Sequence, residues 1–140
     1  MSIEFCDTNV LVYAYDTTAG LKHEHARQLV ERLWHGRSGA LSVQVLQELF
    51  VTLTRKVRVP VEPRVARAIV TDFSVWRVIE PTASDVLTAI DSMMQWHLSF
   101  WDAMIVTTAR RAGAVVLWSE DLNPGQVFDG VTVNNPVSDA

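Results

Sequence analysis

The segment Ile3 to Cys6 is a short apolar-rich run that stops at an acid, Asp7, and the next clear pattern has a helical period. Between Lys22 and His35 the apolar residues Ala26, Leu29, Val30, Leu33 and Trp34 fall on one face of a helix, and Gly36 and Gly39 close that segment. In between, Val10 to Tyr15 is compatible with a helix turn or an irregular stretch. Ala40-Leu41 leads to Ser42, an N-cap, after which Leu46, Leu49, Phe50 and Leu53 keep helical spacing until Arg55. Pro63 suits a first helical position, followed by Val65, Ile69, Val70 and Phe73, and Val75 to Ile79 alternates like a strand. Thr82-x-x-Asp85 reads as a capping box that opens a helix with Val86, Ala89, Ile90, Met93 and Met94 inward, ending near Trp96. His97-Leu98-Ser99 breaks the run, and Phe100 to Arg111 predicts a further helix. Val115 to Trp118 is a buried strand ended by Ser119-Glu120-Asp121, and Asn123-Pro124-Gly125 is a turn. Val131 to Val133 is the last strand. Such alternation predicts an α/β fold: a largely parallel sheet, covered on both faces through right-handed crossovers.

At 140 residues, 49% of them hydrophobic, the chain has the size of one domain, expected to span 1–140. No apolar run approaches the roughly 20 residues of a spanning helix, because Ala103 to Trp118 is cut by Arg110-Arg111 and Gly113, so no membrane is expected. The start of the chain lacks the basic and apolar regions of a secretory signal. A single cysteine, Cys6, read as a buried strand residue, suits a reducing compartment, and the expected location is cytoplasmic. The net charge of −4 argues against a protein that coats nucleic acid, unless the carboxylates are gathered in one site and neutralised by cations.

Two acids follow apolar strand runs, Asp7 after Ile3 to Cys6 and Asp121 after Val115 to Trp118. In an open parallel sheet, ligands collect outside the carboxyl ends of strands, so both acids belong to that edge. Asp102 lies among large apolar residues, where a carboxylate needs a partner or an ion. Glu48 sits at the border of its helix's apolar stripe. Four carboxylates without a neutralising lysine make an oxygen-donor site for Mg²⁺ or Mn²⁺, one ion or two, and such a site suits phosphate chemistry. Asn9 and Ser119 are placed to orient ligands or waters around it. Each acid also has an ordinary structural role available. Asp102 completes a Ser99-x-x-Asp102 capping box, Asp121 can serve a turn, Glu48 a solvated helix face, and Asp7 a strand-to-helix cap.

The remaining polar residues read mainly as structural. His23, His25 and His35 are surface residues, and His97 is a loop histidine that can also meet a phosphate. Trp96, Trp101 and Trp118 flank the acids and are read mainly as core, with base stacking as the alternative. Arg55, Lys56, Arg58, Arg64 and Arg67 form a basic edge that suits an RNA backbone or a plain solvated surface.

Phe5-Cys6-Asp7-Thr8-Asn9-Val10-Leu11, Gln47-Glu48-Leu49, Trp101-Asp102-Ala103-Met104-Ile105 and Leu117-Trp118-Ser119-Glu120-Asp121-Leu122, in that order, resemble a PIN domain, most closely the VapC-like toxins of toxin-antitoxin pairs. The resemblance implies a three-layer α/β/α sandwich with a central, mainly parallel sheet. It also implies Mg²⁺- or Mn²⁺-dependent RNA cleavage, a homodimer, and an antitoxin partner that covers the acidic site. Asp7 and Asp102 match the surest metal ligands, and Glu48 and Asp121 the other two acids, with Glu120 a rival for the last position. A housekeeping RNA-processing nuclease and a non-catalytic metal-binding interaction module are the alternatives. Phosphatases and receiver domains with a strand-terminal Asp need a later lysine, and the only lysines here are Lys22 and Lys56.

Overall fold

The computed structural model describes residues 2–137. Strand β1 (Ile3–Cys6) buries Phe5 and Cys6 completely, and the chain turns directly into helix α1 (Thr8–Tyr15). Burial pushes the Cys6 thiol far above its ordinary pKa, which leaves it a small apolar residue. A 3₁₀ turn (Thr17–Ala19) leads into α2 (Leu21–Gly36), which ends at Arg37 in the left-handed conformation. Then follow β2 (Gly39–Ser42), α3 (Val43–Arg55), α4 (Pro63–Phe73) and β3 (Arg77–Ile79). Helices α5 (Ala83–Trp96) and α6 (Phe100–Arg111) precede β4 (Ala114–Trp118), β5 (Val127–Phe128) and β6 (Val131–Asn134).

The six strands form one sheet in the order β3-β2-β1-β4-β6-β5, parallel throughout except for the β5–β6 hairpin. From β1 the chain moves outward through β2 to β3, then returns past β1 to β4. Right-handed crossovers in opposite directions put α1 to α4 on one face and α5 with α6 on the other, giving the three-layer α/β/α sandwich. The reversal between β1 and β4 leaves a crevice at the carboxyl ends of those two strands, where neighbouring connections leave to opposite faces.

Local chemistry explains most element ends. Ser42 caps α3 by accepting from the Val45 amide at 3.3 Å, and Pro63 opens α4. Thr82 and Asp85 close a full capping box at α5, and Asp85 also pairs with Arg111 of α6. Glu4 is bound by both Arg32 guanidinium nitrogens at 2.8 and 2.9 Å and by the Trp118 indole at 2.9 Å, tying β1 to α2 and β4. The Arg32 pairing holds the Glu4 carboxyl below the usual range.

Several expectations need correction. Gly36 is helical, and Gly39 does not close a helix but opens β2, a strand absent from the sequence reading because all four of its residues are buried and show no alternation. Strand β5 was also missed, being two residues long. Val10 to Tyr15 is regular helix. On α5, Val86 and Met94 face outward, and only Ala89 of the five expected inward residues is fully buried. Gly39 lies flat against Trp76, where an added Cβ would stand 2.4 Å from the ring. Gly39→Ala should therefore lower stability by about 1–3 kcal/mol, read as an earlier thermal unfolding midpoint. An unchanged midpoint would show that Trp76 moves aside freely.

Candidate active site

The chain leaving β1 stays bound to β4, since the Asp7 amide donates to the Trp118 carbonyl at 2.9 Å. This places Asp7 in the crevice as the N-cap of α1, with its Oδ1 accepting from the Thr8 amide at 2.7 Å. Its Oδ2 accepts from the Ser119 hydroxyl at 2.9 Å, and the Ser119 oxygen in turn accepts from the Asp121 amide at 3.2 Å. Ser119, with no solvent exposure, thus joins the two strand ends through one oxygen. Asp7 is 5% exposed. That burial lifts its pKa to about 6, against the lowering by Thr8 and Ser119, and the charges of Asp121 and Asp102 raise it further.

Asp102 enters from the first turn of α6. Ser99 caps that helix by accepting from the Asp102 amide at 3.1 Å. The box is half-made, however. Unlike Asp85, Asp102 gives no return bond to its cap, and among the described residues its carboxylate has no hydrogen-bond donor. Glu48, on α3, accepts from the Thr8 hydroxyl at 2.9 Å and from Gln44 at 3.4 Å, which ties it to α1. Asp121 is exposed at the cleft wall. Partial burial and the neighbouring Asp102 and Glu120 raise its pKa, while Asn9 lowers it.

Asp7, Glu48, Asp102 and Asp121 line one open cleft of about 570 Å³, together with Thr8, Asn9, Trp101, Lys56 and Arg58. Glu120 turns elsewhere: the Tyr13 hydroxyl donates to it at 2.8 Å and Lys22 pairs with it at 2.7 Å. Two adjacent acids therefore have separate employment, one bracing α1 to α2 and β4, the other facing the cleft.

The family model of the PIN domain matches residues 5–127, from inside β1 to the first residue of β5. The chain belongs to the PIN domain family. Solved structures share the fold. One is the Mycobacterium tuberculosis toxin VapC20, described as cleaving the sarcin-ricin loop. It is 23% identical, with TM-score 0.64 over 84% of this chain and 89% of that one. A toxin-antitoxin complex from Klebsiella pneumoniae is 20% identical, with TM-score 0.69 over 96% and 98% of the two chains. DNA-bound VapBC from Salmonella typhimurium is 20% identical, with TM-score 0.66 over 97% and 99%. A search of curated protein sequences finds no match.

The matched segment of this PIN domain contains all four acids. Among the described residues, no three His, Cys, Asp or Glu side chains are gathered tightly enough to hold an ion as they stand. The donor set nonetheless fits a hard cation. Four carboxylates face one cleft, and the charge of Asp102 helps to raise the pKa of both Asp7 and Asp121. The Asn9 Oδ1 is buried without a partner, an acceptor for which an ion or a water is the natural complement. Of the basic residues expected on this edge, Lys56 and Arg58 line the cleft and Arg55, Arg64 and Arg67 do not. Trp101 lines it as well. Trp96 packs on Phe128 at 5.3 Å and Trp118 binds Glu4, so neither faces the cleft. His97 is a left-handed helix end rather than a cleft residue. The sequence reading passed over Thr8, whose hydroxyl beside Asp7 was the available signal.

Proposed function

We propose that this PIN domain, one unit over residues 1–140, is a Mg²⁺- or Mn²⁺-dependent endoribonuclease and the toxin of a cytoplasmic toxin-antitoxin pair. The observation that carries the reading is the meeting of Asp7, Glu48, Asp102 and Asp121, from four separate segments, in one cleft at the topological switch point. Asp7, Asp102, Asp121 and Glu48 would hold one or two cations. Cations bound there would supply charge neutralisation at the phosphate and acidification of the attacking water. Ser119 keeps Asp7 in place, Asn9 presents its unpartnered oxygen beside Asp121, and Lys56 and Arg58 attract the RNA backbone. Thr8 holds Glu48 toward α1, near the other acids.

The toxin reading is supported by neighbours described as toxin-antitoxin and VapBC complexes. An antitoxin covering the acidic cleft, and a homodimer, belong to the same proposal. Coexpression with the product of a short neighbouring reading frame should then block cutting, and the lack of any such inhibitor would favour a housekeeping nuclease.

The purified protein, incubated with a mixed RNA pool, should cut in Mg²⁺ or Mn²⁺, leave 5′-phosphate and 3′-hydroxyl ends, and stop in EDTA. Glu48→Gln should lower the rate about 10- to 100-fold, whereas Glu120→Gln should retain cutting within about threefold and lose only thermal stability. The reverse order would exchange the roles assigned to those two acids. Cation binding without cleavage of any RNA would favour a non-catalytic module, and cleavage in EDTA would remove the mechanism.

A further inference from the structure

We propose that Trp101 is a stacking platform for one RNA base beside the scissile phosphate, which sets the register of the strand in the cleft; this rests on the ribonuclease reading above. Trp101 is 63% exposed although every residue from Ala103 to Ala109 on the same helix is buried. It lines the cleft one position before Asp102. Phe100 meets it edge to face, with centroids 5.0 Å apart at 75°, which fixes the ring without enclosing it. Gln44 of α3 donates to the Trp101 carbonyl at 3.4 Å and steadies the backbone beneath. A large, braced, water-facing aromatic surface on a cleft wall suits a flat ligand, and every nucleobase presents such a face.

The cleft also supplies what the rest of a nucleotide requires. Lys56 and Arg58 line it and make no ion pair among the described residues, so both cations are available to phosphates. Trp101 and Asp102 line the same cleft, so a strand whose phosphodiester lies at the carboxylates can set a neighbouring base against Trp101. Duplex bases have both faces covered by their neighbours and cannot use the platform. Stacking tolerates any base, so Trp101 sets register rather than reading one sequence.

The test begins with the cut site that the wild type produces in the RNA pool with Mn²⁺. A short single-stranded RNA spanning that site is then made with an abasic nucleotide at each flanking position in turn. Trp101→Ala should lower kcat/KM on the intact RNA roughly tenfold, mainly through KM, and Trp101→Phe should restore most of it. One abasic position should lower the wild-type value by the same factor, and at that position Trp101→Ala should add no further loss. Losses that multiply at every position, or Trp101→Ala cutting as well as wild type, would overturn the platform while leaving the nuclease standing. Wild type that cuts no RNA would remove both readings. Because the ring is exposed, the thermal midpoint of Trp101→Ala should match wild type. A lowered midpoint with the RNA kinetics unchanged would make Trp101 structural and sink the proposal.

Discussion

Asp7→Asn is expected to lose metal-dependent RNA cleavage by about a thousandfold or more, and at the same time to be more stable than wild type at pH 8. The two effects share one cause. Asp7 is buried at 5% exposure, and its folded pKa of about 6 lies above the roughly 3.9 of an unfolded aspartate. Between those values the folded state binds more protons than the unfolded state, so stability falls as pH rises through about 4 to 6. Above pH 6 the buried charge destabilises by about 3 kcal/mol, and Asn removes it while losing one hydrogen-bond acceptor toward Ser119, about 1 kcal/mol. In EDTA at pH 8 the variant should therefore unfold a few degrees above wild type, roughly 4–8 °C for a gain near 2 kcal/mol, and the gap should close or reverse below pH 4. Mg²⁺ should raise the wild-type midpoint and not that of the variant. A variant less stable than wild type at pH 8 in EDTA would contradict the account of an uncompensated buried charge.

Phe73→Ala should have the opposite profile, with a large loss of stability and intact chemistry. Phe73 has no solvent exposure and meets Tyr15, Trp34 and Trp76 edge to face at centroid distances of 6.0, 5.4 and 4.9 Å. Truncation removes the ring and leaves a cavity among three aromatic side chains, which costs about 3–5 kcal/mol and some 8–15 °C in the thermal midpoint. The cluster lies at the amino-terminal end of the sheet, against Gly39 at the start of β2, while the acids occupy the carboxyl ends. Cleavage at about 20 °C, per folded molecule, should thus equal wild type within about twofold. A specific loss of kcat in the folded fraction would show that the two ends of the sheet are coupled.

The two variants together separate what the acids do for chemistry from what the apolar clusters do for the fold. On the proposed function, Asp7 would serve the site at the expense of the fold, and Phe73 the fold alone. Glu4 and Glu120 complete the contrast, because each of these partly buried carboxylates is matched to a cation, Arg32 and Lys22 respectively. The cleft acids make no ion pair among the described residues, and that distinguishes them physically from the structural acids.

Much of this was legible in the residues. Helical periodicity located α2 through α6 closely, because a one-sided helix must repeat its apolar residues every three or four positions. Capping chemistry placed the starts of α3, α5 and α6, since backbone amides at a helix start need an acceptor nearby. Acids at the ends of apolar strands pointed to one sheet edge from the residue order by itself. Strand β2 was illegible because a strand buried on both faces has no alternation to read. Strand β5 was marked only by Asp129-Gly130, both with positive φ, a two-residue hairpin signal that its two-residue strand left unsupported.

Tertiary structure alone decided what else each of these acids binds. The resemblance favoured Asp121 for the last acid with Glu120 as a rival, and the sequence made Asp102 a capping residue as readily as a ligand. Spatial partners separate them: Lys22 and Tyr13, far along the chain, claim Glu120, while Ser99 caps α6 without drawing Asp102 back. Local periodicity is set by neighbours a few positions away, so it is written in the sequence. The meeting of side chains from β1, α3, α6 and the end of β4 depends on strand order and crossover hand, which no single segment encodes.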